Sequence, residues 1–312
     1  MDQQLNARYT ARWEATLGDG ENDQREMFFL NRLIRYVPDG AGQGECRLEI
    51  EADARHSEIL VKEFGFKPDS KGCDVPEDKM TEKDLIEVNG DVAYMSIDRP
   101  DLCHSVRTLA SAMVAPKLSD WMRLKKVARY LLKFPYLKRV FKLQSNEEIN
   151  VTVFTDSDWA GNPKTRRSMS GAVVKLGSHT VQIKAASQKV VALSSMEAEY
   201  YGMCRGATQA VFIHHVLDFW QLNPGKMILK VDSSSAKALV ERRGVGTTRH
   251  VQARFLWLQD LIFAKQMIVQ KVNGKVNDAD LVTKTQPKAM IKDHLAGLNF
   301  VVCGREGHKR LT

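Results

Sequence analysis

The sequence predicts an α/β protein: a mixed five-stranded sheet with flanking helices in the C-terminal half, preceded by a smaller, mostly helical region. Two observations carry this. Near residue 149 the apolar pattern changes from steps of three and four to β-branched runs with a two-residue period. Beyond that point the segments read in the order β-β-β-α-β-α-α-β-α. With 312 residues, 43% of them hydrophobic, the chain can bury a real core and has length for about two domains. The expected divisions are 1–148, 149–300 and a C-terminal tail over 301–312.

In the first half, the polar residues ending in Gly18, Asp19, Gly20, Glu21, Asn22 and Asp23 read as a loop. Met27, Leu30, Leu33 and Ile34 step as on a helix that stops at Pro38, Asp39 and Gly40. Leu48 and Ile50 alternate with charged neighbours as in a short strand, and residues 56–64 have helical spacing before Gly65 and Pro68. A polar loop covers 68–84. Residues 91–132 give two or three helices interrupted at Pro100 and Pro116, where proline breaks a helix or opens its first turn. A loop over 144–150 closes this half.

The second half opens with Val151, Val153 and Phe154, a strand leading into Asp156. Residues 172–176 and 180–183, joined by Gly177, Ser178 and His179, read as a hairpin. Ser194 and Glu197 have the spacing of a capping box. Tyr200, Met203, Ala207, Ala210, His214 and Leu217 then lie on one face of a helix that runs to about Trp220. A fourth strand over 228–231 ends at Asp232, and a short helix passes through Ala236, Leu239 and Val240. The 244–248 loop, a helix over 251–264, a fifth strand over 268–272 and a last helix beginning near Asp278 complete the order.

The net charge of +8, from 46 Lys and Arg against 38 Asp and Glu, favours a polyanionic partner. Its distribution is sharper: residues 121–142 hold Arg123, Lys125, Lys126, Arg129, Lys133, Lys138, Arg139 and Lys142 and no acid. Trp121, Tyr130, Phe134, Tyr136 and Phe141 interleave with them. Cations neutralise phosphates and rings stack on bases, so the stretch reads as a nucleic-acid track. The alternative is a helix with Leu124, Val127, Tyr130 and Leu131 as its core stripe and solvated lysines outside. The cysteines, at 46, 73, 103, 204 and 303, are too far apart for a zinc pattern and read as thiols in a reducing compartment. Cys303 with His308 lacks the partner cysteine of a zinc site. No stretch approaches a membrane span and residues 1–4 lack a signal peptide's apolar core, so an intracellular protein without a membrane partner is expected.

Four acids occupy telling places: Asp156 at the end of the first strand, Glu199 in the first turns of the long helix, Asp232 closing the fourth strand and Asp280 opening the last helix. If the first and fourth strands are neighbours, all four converge. Phosphodiester hydrolysis needs a nucleophilic hydroxide, stabilisation of a pentavalent phosphate and relief of charge on the departing oxygen. Two hard cations held by carboxylates serve all three needs. Magnesium or manganese keeps several waters, so few protein ligands and no His or Cys cluster are required.

The segments VFTDSDWAGNP (153–163), RRSMSG (166–171), VALSSMEAEYYG (191–202), VDSSSAKAL (231–239), TRHVQARF (248–255) and NDADLVTK (277–284) resemble, in order, the ribonuclease H domain of copia-type retrotransposon Pol polyproteins. Upstream, ADARHSEILVKEFGF (52–66), YMSIDRPDLCHSVRTLASAM (94–113) and KKVARYLL (125–132) resemble the thumb and connection portion of the same family's reverse transcriptase.

The resemblance implies an RNase H-like fold and hydrolysis of the RNA strand of RNA:DNA hybrids. It implies Asp156, Glu199, Asp232 and Asp280 as catalytic ligands of two Mg2+ (or Mn2+) ions. The upstream reverse transcriptase portion of a polyprotein is an expected partner, and the cytoplasm, a virus-like particle or the nucleus the expected place. Asp158, on the same strand face as Asp156, is its rival and is read as a supporting neighbour; Glu197 is Glu199's rival and is read as a helix cap. Ser194, Ser195, Ser233 and Ser234 are candidates for contact with phosphate or 2′-hydroxyl groups, with capping an equal alternative. Arg249 and His250 are candidates for the nucleic-acid backbone or for a helix start, and His214 and His215 read as core or surface. Two positions depart from the family: Asn273, Gly274 and Lys275 stand where many ribonucleases H carry a His-bearing loop, and Lys184 stands where an apolar or aromatic residue is usual. The alternative to an enzyme is an inactive or domesticated remnant that binds nucleic acid; a DNA-cutting enzyme of the same fold is disfavoured by the four-carboxylate set. No Tyr-x-Asp-Asp palm motif occurs, so no polymerase activity of the chain's own is expected.

Overall fold

The structure, a computed structural model, describes residues 15–38, 46–66, 90, 93–113, 115, 117–142, 149–246 and 250–303. Its strands are β1 (Glu26–Phe29), β2 (Arg32–Val37), β3 (Arg47–Glu51), β4 (Tyr136–Lys142), β5 (Val151–Asp158), β6 (Met169–Leu176), β7 (His179–Ser187), β8 (Met227–Val231), β9 (Met267–Lys271) and β10 (Phe300–Cys303). The helices that frame them are α1 (Arg55–Glu63), α2 (Cys103–Ala110), α3 (Leu118–Lys133), α4 (Ser195–Phe219), α5 (Ser234–Val240), α6 (Trp257–Phe263), α7 (Asp280–Thr283) and α8 (Lys288–Gly297). Among the described residues no helix is long and apolar enough to cross a membrane.

The second half forms the mixed sheet expected, in the order β7-β6-β5-β8-β9. Strands β5, β6 and β7 run antiparallel, while β5–β8 and β8–β9 are parallel, which is the RNase H-like arrangement. Strand β5 sits at the centre because its residues are buried on both faces for nearly its whole length. A parallel neighbour needs a long crossover, and α4 supplies it. That helix lies tight on the sheet: a Cβ at Gly206 would collide with the Thr155 methyl group. Gly177, at φ +55°, makes the turn between β6 and β7.

The first half departs from expectation. Residues 27–34 form the β1–β2 hairpin, pairing Met27 with Ile34 and Phe28 with Leu33, in place of a helix. Their apolar spacing suits either form, and pairing of β2 with β3 decides between them. Leu30 and Asn31 turn the chain with φ of 49° and 61°. Strand β4 was not foreseen in the basic stretch, nor was β10, which pairs with it across the expected division at 300. Together they make a second, antiparallel sheet, β1-β2-β3-β4-β10. The strand at Leu48 and Ile50 and the helices α1, α2 and α3 are where the spacing put them, with Pro100 opening a 3₁₀ turn, Pro100–Leu102. The 68–84 loop lies outside the described residues.

Two helices of the second half are shorter than expected. A 3₁₀ turn, Ala253–Phe255, precedes α6. The last helix is split into α7 and α8 at Pro287, since the residue before a proline is driven out of helical conformation.

Three of the apolar clusters among the described residues hold these layers. Leu60, Phe64, Trp121, Leu124 and Leu131 join α1 to α3. Val151, Val153, Tyr200, Met203 and Leu229 pack α4 on the mixed sheet. Leu137, Phe154, Val173, Leu295, Leu298 and Phe300 join the two sheets through α8. At that junction the Lys175 ammonium donates to Asp278 and, at 2.8 Å, to the Gly297 carbonyl. Burial alone would raise the Asp278 carboxyl, but His294 and Lys175 more than offset it and hold it below the ordinary range. Lys175→Met leaves this buried carboxylate without its ammonium, so urea unfolding should show a loss of about 3 kcal/mol at pH 7. The loss should shrink as pH falls through the lowered pKa of Asp278, where the pair's contribution ends in the parent protein as well.

Candidate functional site

The parallel β5–β8 register pairs Phe154 with Lys230; two residues further on it sets Asp156 level with Asp232, just beyond the end of β8. Helix α7 brings Asp280 to the same place. Carboxylate oxygens from Asp156, Asp232 and Asp280 lie within 4.8 Å of one another, with Asp156 fully buried. The seat of α7 depends on Gly171, which pairs with Asp156 across β5 and β6. A Cβ there would stand 2.6 Å from the Thr283 methyl and 2.7 Å from Val282. Asn277, also fully buried, fixes the approach to α7 by donating to the Thr155 carbonyl at 2.9 Å.

Two residues of α7 and its end answer the charge. The Thr283 hydroxyl donates to Asp156 Oδ2. Lys284 Nζ stands 3.0 Å from Asp156 Oδ1 and 3.2 Å from Asp280 Oδ1, bridging them. Burial opposes that ammonium's charge, but Asp156 and Asp280 raise its pKa above the ordinary range. One cation does not balance the set. Burial first, then repulsion by Asp156, pushes Asp280 up to about 6 and raises Asp232. Burial, Asp156 and Asp232 push Glu199, at the margin of the three aspartates, up to about 9, and its Oε2 is buried with no hydrogen-bond partner. An all-oxygen donor set short of positive charge, with an orphaned buried oxygen beside it, fits a hard divalent ion such as Mg2+ or Mn2+.

The structure separates the rivals. Asp158 ends β5 and is raised by burial, but it is not among the three clustered aspartates. Glu197 accepts from the Leu193 N–H at 2.7 Å, from the Tyr201 hydroxyl and from His250 Nε2 at 3.0 Å, so it ties the start of α4 to the 250 region. His250 is thereby placed on Glu197. Arg249 lies outside the described residues, as do Thr248 and His308.

Ser194 and Ser233 spend their hydroxyls as helix caps, accepting from the Glu197 and Ala236 N–H groups at 3.2 Å each. Ser195 is exposed at the first turn of α4, and Ser234 accepts from Lys271. His214 pairs with Asp218 on the surface of α4, 3.3 Å away. Lys184 is exposed and donates to Gln209 at 2.6 Å.

The basic stretch is split between α3 and β4. Arg123, Lys126 and Arg129 are exposed and Lys125 is half-buried. Arg123 also pairs with Asp120 at 2.8 Å, and Arg129 lies over the Phe66 ring. Arg123 and Lys126 line a groove of about 370 Å³ with His104, Tyr130 and Thr285, the last adjoining Lys284. His104 Nδ1 donates to the Thr283 carbonyl at 3.0 Å, tying α2 to α7. The interleaved rings are not all available to bases: Trp121 is 2% exposed and stacks on Phe64 at 4.3 Å, and Tyr136 is buried. Thr283, Lys284 and Asn277 were not singled out from sequence, although all three lie in NDADLVTK and Lys284 follows Asp280 by one helical turn.

No family model matches the chain. It is 26% identical over 201 residues to the retrovirus-related Pol polyprotein from transposon TNT 1-94 of Nicotiana tabacum, which covers 64% of this chain and 15% of that protein. It is 32% identical over 197 residues to the retrovirus-related Pol polyprotein from transposon RE2 of Arabidopsis thaliana, covering 61% of this chain and 13% of that one. The secreted RxLR effector protein 161 of Plasmopara viticola is 34% identical over 125 residues, 40% of this chain and 87% of that protein. Among solved structures, the N-terminal RNase H domain of rv2228c from Mycobacterium tuberculosis, fused to maltose-binding protein, matches 47% of this chain and 99% of that one, at 18% identity and a TM-score of 0.30. A score that low adds nothing to the strand order. That order and the helices around it define an RNase H-like fold. The chain is similar to retrovirus-related Pol polyproteins of copia-type transposons and spans only a small part of the length of those it matches.

The repulsion has a measurable cost. With a chelator present, Asp232→Asn should raise stability by about 1 kcal/mol in thermal or urea unfolding at pH 8. Carboxyls whose folded pKa is raised destabilise the fold above the ordinary carboxylate range, so the advantage should fade as pH is lowered toward 4.

Proposed function

We propose that the chain is a divalent-metal-dependent ribonuclease H that hydrolyses the RNA strand of RNA:DNA hybrids, its chemistry carried by residues 149–300. The observation that carries this reading is the cluster of Asp156, Asp232 and Asp280 in the family's motifs, with Glu199 beside it. These four would hold two Mg2+ or Mn2+ ions, which supply charge stabilisation of the phosphate and activation of water. Asp156 is oriented for this by Thr283 and Asp232 by the nearby Asn277 amide, while Gly274 leaves room beside the Asp232 carboxylate. Lys284, with 40% of its side chain exposed, is a positive charge at the rim where a scissile phosphate would enter.

The groove lined by Arg123 and Lys126 adjoins that rim and supports a path for the hybrid's backbone along α3, recognised by charge and shape. An upstream reverse transcriptase portion of a polyprotein is the natural partner of such a path.

Purified protein should cut the RNA strand of a labelled RNA:DNA hybrid in the presence of Mg2+ or Mn2+, and Asp232→Asn should reduce the rate by about a hundredfold or more while remaining folded. Binding of the hybrid by folded protein without any cutting would favour the inactive remnant instead, and unchanged cutting by the variant would refute the site.

A further inference from the structure

A second pocket, of about 310 Å³, lies between α4, the loop before it and the Ala253–Phe255 turn. Its α4 residues Tyr201, Cys204, Arg205 and Thr208 lie about half a turn round the helix from Glu199, so it is separate from the carboxylate centre. The size is at the lower end for small-molecule sites.

Three cations, Lys189, Arg205 and Arg254, line this pocket, and no carboxylate does. Among the described residues none of the three has an ion-pair partner, whereas Lys175, Lys284 and Arg99 are each held by an aspartate. Arg205 is further burdened, since burial and the nearby Arg107 both lower its pKa. A site of this charge is complementary to an anion.

Part of the lining is aromatic. The Phe255 and Tyr201 rings lie 4.3 Å apart, the Arg254 guanidinium sits 4.8 Å over Phe255, and Trp257 borders them. This wall is fixed, because the Phe255 carbonyl accepts from the Tyr200 hydroxyl at 2.8 Å and from Cys204 Sγ at 3.4 Å. Gln188, 7% exposed, also lines the pocket. Its amide nitrogen has Ser157 Oγ, Ser170 Oγ and the Ala198 carbonyl within hydrogen-bond reach, three acceptors for two N–H groups, while its Oε1 is buried with no partner. Cations and an aromatic face match the phosphate and base of one nucleotide.

We propose that this pocket binds a nucleoside phosphate, with the phosphate on Arg205 and Lys189 and the base against Phe255 and Trp257. The ligand is either a free nucleotide or the unpaired end of a strand. The site works without the carboxylate centre, so its test stands apart from hydrolysis.

The experiment is calorimetric titration of the full chain with 2′-deoxyadenosine 5′-monophosphate in a chelating buffer, beside quenching of tryptophan fluorescence. Saturable binding is expected, unchanged in Asp232→Asn and weakened about tenfold or more by Arg205→Ala. Lys189→Ala should weaken it as well, and deoxyadenosine without phosphate should bind at least tenfold more weakly. The quench should disappear in Trp257→Phe. A 5′-phosphorylated single-stranded oligonucleotide that binds more tightly than the mononucleotide, and still depends on Arg205, identifies a strand end; equal affinity identifies a free nucleotide. No binding, binding indifferent to Arg205→Ala, or equal binding of nucleoside and nucleotide overturns the proposal.

Discussion

Like charges brought together inside the protein are the constraint around which the second half is built. Carboxylates about 5 Å apart repel by roughly 3 kcal/mol per pair at an effective dielectric constant near 20. Asp156, Asp232 and Asp280 are held at that range by a strand register, a strand end and a helix start, none of which the side chains could choose for themselves. The fold bears the cost through rigid seating. Gly171 lets α7 lie against the sheet, Asn277 anchors the segment before it, and Thr283 and Lys284 answer Asp156.

The segment that completes the site also closes the molecule. After α7, the chain forms α8 and then β10, which joins the antiparallel sheet of the first half. Leu295, Leu298 and Phe300 thus share one apolar cluster with Phe154 and Val173, the residues on the far side of the central strands. The position of Asp280 therefore depends on packing between the halves, with Lys175 and Asp278 at the junction. His104 adds a direct link from α2 to Thr283, the residue whose hydroxyl donates to Asp156.

Much of the second half was legible because its signals are local. The β-branched run of β5, the β6–β7 turn at Gly177 and the Ser194 cap of α4 each follow from neighbouring residues. The β1–β2 hairpin, β4 and β10 were not, since their apolar spacing is ambiguous and distant pairing decides it. The aspartates could be read from their places at strand and helix ends. Thr283, Lys284 and Asn277 could not, because each acts by what it touches across the sheet. Trp121 shows the converse limit: among lysines and arginines it suggested a stacking surface, yet it packs on Phe64 inside the first half's core.

The central claim is that the aspartate cluster takes up divalent cations, and titration of Mn2+ into chelator-free protein, followed by calorimetry and paramagnetic resonance, tests it most directly. The account predicts saturable uptake with a rise in melting temperature, both strongly reduced in folded Asp232→Asn. No uptake by the parent protein, or uptake that the substitution leaves unchanged, would contradict it.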